Sequence, residues 1–157
     1  MRLALFQPDI PQNLGGAIRL AACLGIRLDI IEPCAFPLSD KSLRRAAMDY
    51  GQAAVMVRHD GWADFEAQAR IEGRRILLFT TKAAEPYQRF AYRQDDVLLF
   101  GRESAGVPDA VHDAADARLI IPIRPETRSL NVVTAAAMAL SEALRQTNAF
   151  PVTPPVL

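Results

Sequence analysis

The twelve residues Val97–Pro108, VLLFGRESAGVP, decide how the chain reads. Four apolar residues run into a loop with two glycines, Gly101 and Gly106, and a carboxylate, Glu103, between them. Behind it, PDAVHDAA (108–115) has the character of a helix. An unbroken apolar run is what a strand buried on both faces looks like. Strand, glycine loop and helix in that order make the repeating unit of a parallel α/β sheet. A turn needs the glycines but not the acid, so Glu103 calls for a separate explanation.

The same alternation extends in both directions. Leu3–Gln7, Arg27–Glu32, Ala53–His59, Arg74–Thr81, Asp96–Phe100 and Ala117–Ile123 are expected as strands. Helices are expected over NLGGAIRLAACLG (13–25), with Asn13 as a cap and Gly25 as the stop, and over WADFEAQARIEG (62–73). A short polar helix is expected in SDKSLRRAAMDYG (39–51) and a long one in SLNVVTAAAMALSEALRQ (129–146). The expected fold is α/β, a mostly parallel sheet flanked by helices, in one domain spanning 1–157. The proline-rich tail FPVTPPVL is expected on the surface.

The last helix carries apolar residues most of the way round: Val132, Val133, Ala135–Leu140, Ala143 and Leu144. A helix on a monomer surface shows one apolar stripe. A central core helix is one explanation; a seam between two copies of the chain is the other, and the alanines, which allow close approach, favour it.

Composition narrows the function. Lys+Arg and Asp+Glu both number 18, so bulk charge gives no general attraction to nucleic acid or membrane, and RNA binding would need a local patch. Cys23 and Cys34 have no metal-ligand spacing and are expected as buried thiols of a reducing cytoplasm. No metal site is expected. The N-terminal apolar run is too short for a signal or a membrane span. No G-x-G-x-x-G follows the first strand, which disfavours a nicotinamide oxidoreductase, and no P-loop lysine motif is present. Instead, FTTK, FGRESAGVP and IPIRPETRSLN each follow an expected strand in the second half of the chain. Ligands gather at the carboxyl ends of strands in open α/β sheets, so these three ends are expected to form one pocket.

PQNLGGAIRLA (11–21), FGRESAGVP (100–108) and IPIRPETRSLNV (121–132) resemble the three motifs of the SpoU/TrmH branch of the SPOUT RNA methyltransferases. IIEP (30–33), DKSLRRAAMDY (40–50) and TTK (80–82) are similar to its YibK/TrmL subgroup, the tRNA (cytidine/uridine-2'-O)-methyltransferases of the wobble nucleotide. The resemblance covers nearly the whole chain. It implies a C-terminal trefoil knot, a homodimer, and S-adenosyl-L-methionine as methyl donor with S-adenosyl-L-homocysteine as product. It implies a tRNA substrate, a leucine tRNA foremost. Alternatives are another tRNA or ribosomal RNA nucleotide, or an RNA-binding dimer that has lost catalysis.

Roles follow from the same resemblance. Arg19, Glu103, Ser129 and Asn131 are the catalytic candidates. Phe79, Thr80, Gly101, Glu103, Ile121, Pro122, Ile123, Ser129 and Leu130 would surround the cofactor, with Gly101 allowing close backbone approach. Arg19 stands alone on an apolar helical stretch. Its guanidinium is poorly suited to act as a base and well suited to hold a phosphate or stabilise an alkoxide. Asn131 has the plainer reading of a helix N-cap. Asn13, Lys41, Arg44, Arg45, Arg124 and Arg128 are the RNA-binding candidates. Lys41, Arg44 and Arg45 fall at helical spacing, where a solvated face is the plain alternative.

Overall fold

The structure, a computed structural model, describes residues 1–39, 41, 45, 50 and 53–152. The strands are Arg2–Phe6 (β1), Arg27–Ile31 (β2), Met56–His59 (β3), Ile76–Phe79 (β4), Glu85–Pro86 (β5), Val97–Phe100 (β6) and Ala117–Ile120 (β7). They form one seven-stranded sheet in the order β3-β2-β1-β6-β4-β7-β5, and every pairing is parallel. The helices are Pro11–Leu24 (α1), Trp62–Ile71 (α2), Asp109–Ala114 (α3) and Val132–Thr147 (α4).

Successive side chains of a strand point to opposite faces, and both faces of this sheet are covered. Leu3 and Leu5 of β1, and Leu98 and Phe100 of β6, face α1 and α4. Ala4, Phe6, Val97 and Leu99 face α2 and α3. An apolar residue is therefore needed at every position, which is why VLLF shows no alternation. Each fully buried leucine contributes about 1.5–3 kcal/mol.

Boundaries differ from expectation where local geometry intervenes. α1 begins at Pro11 rather than at a cap by Asn13, because proline at the first helical position has its φ already set. Its stop at Gly25 is as expected, with φ +64. β1 ends at Phe6, since Gln7 turns out of the sheet with φ +46. β7 ends at Ile120, so the backbone of Ile121–Ile123 is outside the strand ladder. The two-residue β5 was not expected; one of its residues is proline, which gives no strand signal. The expected polar helix over 39–51 lies mostly outside the described residues.

α4 buries Ala136, Ala139, Leu140, Ala143 and Leu144, while Met138 is exposed. α1 packs closely on its first turn: a Cβ on Gly16 would lie 3.1 Å from a methyl of Val133. Cys23 is exposed, against the expectation of two buried thiols, because it lies on the outer side of α1. Cys34 is half-buried, and burial pushes its thiol up to about 11. Among the described residues, no helix is long and apolar enough to cross a membrane.

Candidate active site

The three strand ends do converge. A cavity of about 500 Å³ opens at the carboxyl ends of β4, β6 and β7. Phe79 and Phe100, on adjacent strands, stack at 4.8 Å between ring centroids and give it an apolar wall. Thr80, Ile121, Ile123 and Leu130 line it further, and the start of α4 closes one side.

The loop after β6 is pinned shut by its own backbone. Arg102 and Gly106 exchange hydrogen bonds of 3.0 and 2.8 Å. Gly106 has φ +65, which favours glycine. A Cβ on Gly101 would lie 2.6 Å from the Gly106 carbonyl carbon. Gly101 is therefore required by the turn itself, before any ligand is considered.

That turn delivers Glu103 to the cavity, where a chain of hydrogen bonds begins. Asn13 Nδ2 donates to Glu103 Oε1 at 2.9 Å. Asn131 Nδ2 donates to Asn13 Oδ1 at 2.9 Å. Asn131 Oδ1 accepts from the amides of Val133 and Thr134, at 2.9 and 3.3 Å, so it also caps α4. The plainer reading of Asn131 as a helix N-cap holds, and the same side chain reaches Asn13 with its nitrogen. The Asp9 amide donates to Glu103 Oε2 at 3.2 Å, and Asp9 Oδ2 accepts from the amide of Ser104 at 3.2 Å and from its hydroxyl. Burial, and then the contact with Asp9, hold the Glu103 carboxyl above the usual range. The contact with Glu103 and the Ser104 donors hold Asp9 below it.

Of the candidates from the sequence, Asn13, Phe79, Thr80, Gly101, Glu103, Ile121, Ile123, Arg128, Ser129, Leu130 and Asn131 border the cavity. Pro122 does not and is exposed. Arg19 is outside it too: it is exposed on α1 with its guanidinium 4.9 Å from the Tyr50 ring centre. Arg124 is exposed and lies 3.8 Å from Glu126. Lys41 and Arg45 are exposed, and Arg44 lies outside the described residues. Sequence reasoning missed Asp9 and Ser104. The one local signal for Asp9 was an acid at a strand exit between prolines, in QPDIP.

Residues 1–141 match the model of the SpoU rRNA Methylase family. The chain belongs to this family. It is 58% identical to a tRNA (cytidine(34)-2'-O)-methyltransferase of Beijerinckia indica, over 94% of this chain and 92% of that one. It is 38% identical to the enzyme of that name from Escherichia coli K12, over 93% of each. A solved structure described as giving insights into the 2-OH methylation of C/U34 on tRNA superposes with TM-score 0.85 at 39% identity, covering 92% of this chain and 94% of that one. The SpoU methyltransferase AviRb from Streptomyces viridochromogenes, solved with AdoMet, has TM-score 0.81 at 26% identity, covering 93% of this chain and 60% of that one. The chain thus has the mostly parallel α/β sheet flanked by helices that was expected, and the family the motifs implied.

Proposed function

We propose that this SpoU-family chain transfers a methyl group from S-adenosyl-L-methionine to the ribose 2'-hydroxyl of nucleotide 34, cytidine or uridine, of a tRNA. The observation that carries the reading is the convergence of all three motifs on one cavity, joined through Asn13, Glu103 and Asn131. The cavity fits the donor. Phe79 and Phe100 offer apolar surface to adenine, and the strand ends at Thr80 and Ile121–Ile123 offer backbone groups to its edge. Bound there, adenosylmethionine supplies a methyl carbon already activated by its sulfonium.

The protein's own work is alignment and charge. Ser129 and Leu130 line the cavity beside Asn131, and holding the hydroxyl in line accounts for much of the rate. Arg19 is the cation that holds a neighbouring phosphate and favours the alkoxide. Its distance from its own cavity is accommodated by a homodimer through α1 and the uncovered flank of α4, which brings an Arg19 to each site. The exposed Met138, Leu130 and Ile10 support that seam. The C-terminal segment is threaded as a trefoil knot, as the family resemblance implies. Lys41, Arg44, Arg45, Arg124 and Arg128 form the strip that follows the RNA backbone, and the enzyme works in the cytoplasm, with a leucine tRNA as substrate.

The test is labelled methyl transfer to total tRNA, with the product nucleoside identified. Recovery of 2'-O-methylcytidine or 2'-O-methyluridine at position 34 is the expected result, and no transfer to tRNA overturns it. The family's description as rRNA methylases favours ribosomal RNA as the second reading, and the same assay with rRNA separates the two. Arg19→Lys keeps the cation and should retain part of the rate; near-complete loss would count against a purely ionic role, and a variant as fast as the parent would remove Arg19 from the reaction.

A further inference from the structure

Four carboxyl oxygens meet where the segment after β1 crosses the loop after β6, and their partners define where a proton must be. Asn131 Oδ1 faces the amides of α4, so its Nδ2 must donate to Asn13 Oδ1. Asn13 Nδ2 must then donate to Glu103, which makes Glu103 Oε1 an acceptor. Asp9 Oδ2 is satisfied by the amide and hydroxyl of Ser104. Asp9 Oδ1 is buried and has no donor. The two carboxyl groups interact directly, and the Asp9 amide holds Glu103 Oε2 3.2 Å away, which makes Glu103 the group able to supply that oxygen with a proton. Two ionised carboxylates cannot bond, whereas one proton between them satisfies the last oxygen.

We propose that Asp9 and Glu103 hold one proton between them, carried on Glu103 Oε2 and accepted by Asp9 Oδ1, and that Asp9 is thereby a positioning residue for Glu103, Asn13 and Asn131. The proton belongs to Glu103 because burial pushes that carboxyl up, while the bond from Glu103 and the donors of Ser104 hold Asp9 down. The pair carries one negative charge, and it resides on Asp9. Glu103 is a neutral hydrogen-bonding group that ties two loops to the start of α4. Other charged and titratable groups also face the pair. Arg102 lies on the same loop, its guanidinium 5.8 Å from the Phe6 ring centre. Cys34, after β2, senses Glu103 together with Glu32 and Arg58. Among the described residues Arg102 makes no ion pair that would neutralise Asp9 or compete for the proton.

The inference rests on the proposed function only in that the pair belongs to the same site, and its first test needs neither donor nor RNA. Carboxyl-carbon NMR on the full chain follows the titration of Glu103 and Asp9. Glu103 should titrate above the ordinary glutamate range and Asp9 below the ordinary aspartate range. In Asp9→Asn the amide supplies the donor, so Glu103 should titrate lower than in the parent. A Glu103 that titrates in the ordinary range in the parent, or is unmoved by Asp9→Asn, overturns the proposal. Should Asp9→Asn fail to fold, the parent titration alone decides. Glu103→Gln gives a second reading: its amide reproduces both the donor and the acceptor. Adenosylmethionine binding by calorimetry should weaken in the parent as Glu103 ionises and be flat with pH in Glu103→Gln. Loss of binding at every pH would make Glu103 a required anion and overturn the neutral assignment. A shared proton without methyl transfer to any RNA would sink the function and leave the pair standing.

Discussion

Asn131 performs two tasks with one amide. Its oxygen caps α4 and its nitrogen holds Asn13. Asn131→Ala should lose the cap and destabilise the fold by about 1 kcal/mol, read by urea unfolding. Asn131→Asp should keep the cap and lose the donor to Asn13, so it should recover stability without recovering adenosylmethionine affinity. Equal stability in all three proteins would contradict the cap. Gly101 is constrained just as tightly, by the Gly106 backbone at 2.6 Å from its missing Cβ. Gly101→Ala should cost about 1–3 kcal/mol through overpacking and should weaken adenosylmethionine binding, since the displaced loop holds Glu103. Unaltered calorimetric binding would show that the loop tolerates the displacement.

At the scale of elements, α4 and the β2–β3 pair carry the clearest expectations. Leu140 is fully buried between α4 and the sheet. Leu140→Ala should cost about 2–5 kcal/mol in chemical denaturation, the spread reflecting how far the site can collapse. Asp29, on β2, is fully buried and accepts from Arg27 at 2.6 Å and bonds His59 at 2.8 Å. His59 also lies 3.4 Å from Asp64 of α2. Removing the shared carboxylate leaves Arg27 and the buried His59 without their partner. Asp29→Ala should therefore cost about 3–5 kcal/mol, and a cost below 1 kcal/mol by the same measurement would show this network to be incidental.

For the whole molecule, charge has to be local because the net charge is zero. The logarithm of the tRNA binding constant should fall linearly with the logarithm of salt concentration. Arg128→Ala, at the cavity rim, should reduce that slope by about one if it contacts a phosphate. Affinity indifferent to salt would remove the basic strip from the account. Stability should respond to pH on two sides. Asp9 contributes above the ordinary aspartate value, and its contribution is lost as pH falls through its lowered folded value. Glu103 contributes below the ordinary glutamate value, and its contribution is lost as pH rises through its raised folded value. Glu103→Gln should remove the second loss and leave the first, as read from thermal unfolding across pH.

The parallel sheet was legible because apolar runs such as VLLF and ILLF are a purely local consequence of burial on two faces. The motif order pointed to the family and to three loops sharing a pocket. The sequence did not contain the order of the strands, which places β6 between β1 and β4 across long stretches of chain. Nor did it contain the contact between Asp9 and Glu103, 94 residues apart, or between His59 and Asp29, 30 apart. Gly101 read as room for a ligand and proved to be room for Gly106. Asn13 read as a cap and proved to be a bridge. Local patterns record which surfaces are buried; hydrogen-bond partners and protonation depend on which distant atoms arrive together, and that is decided only when the chain has folded.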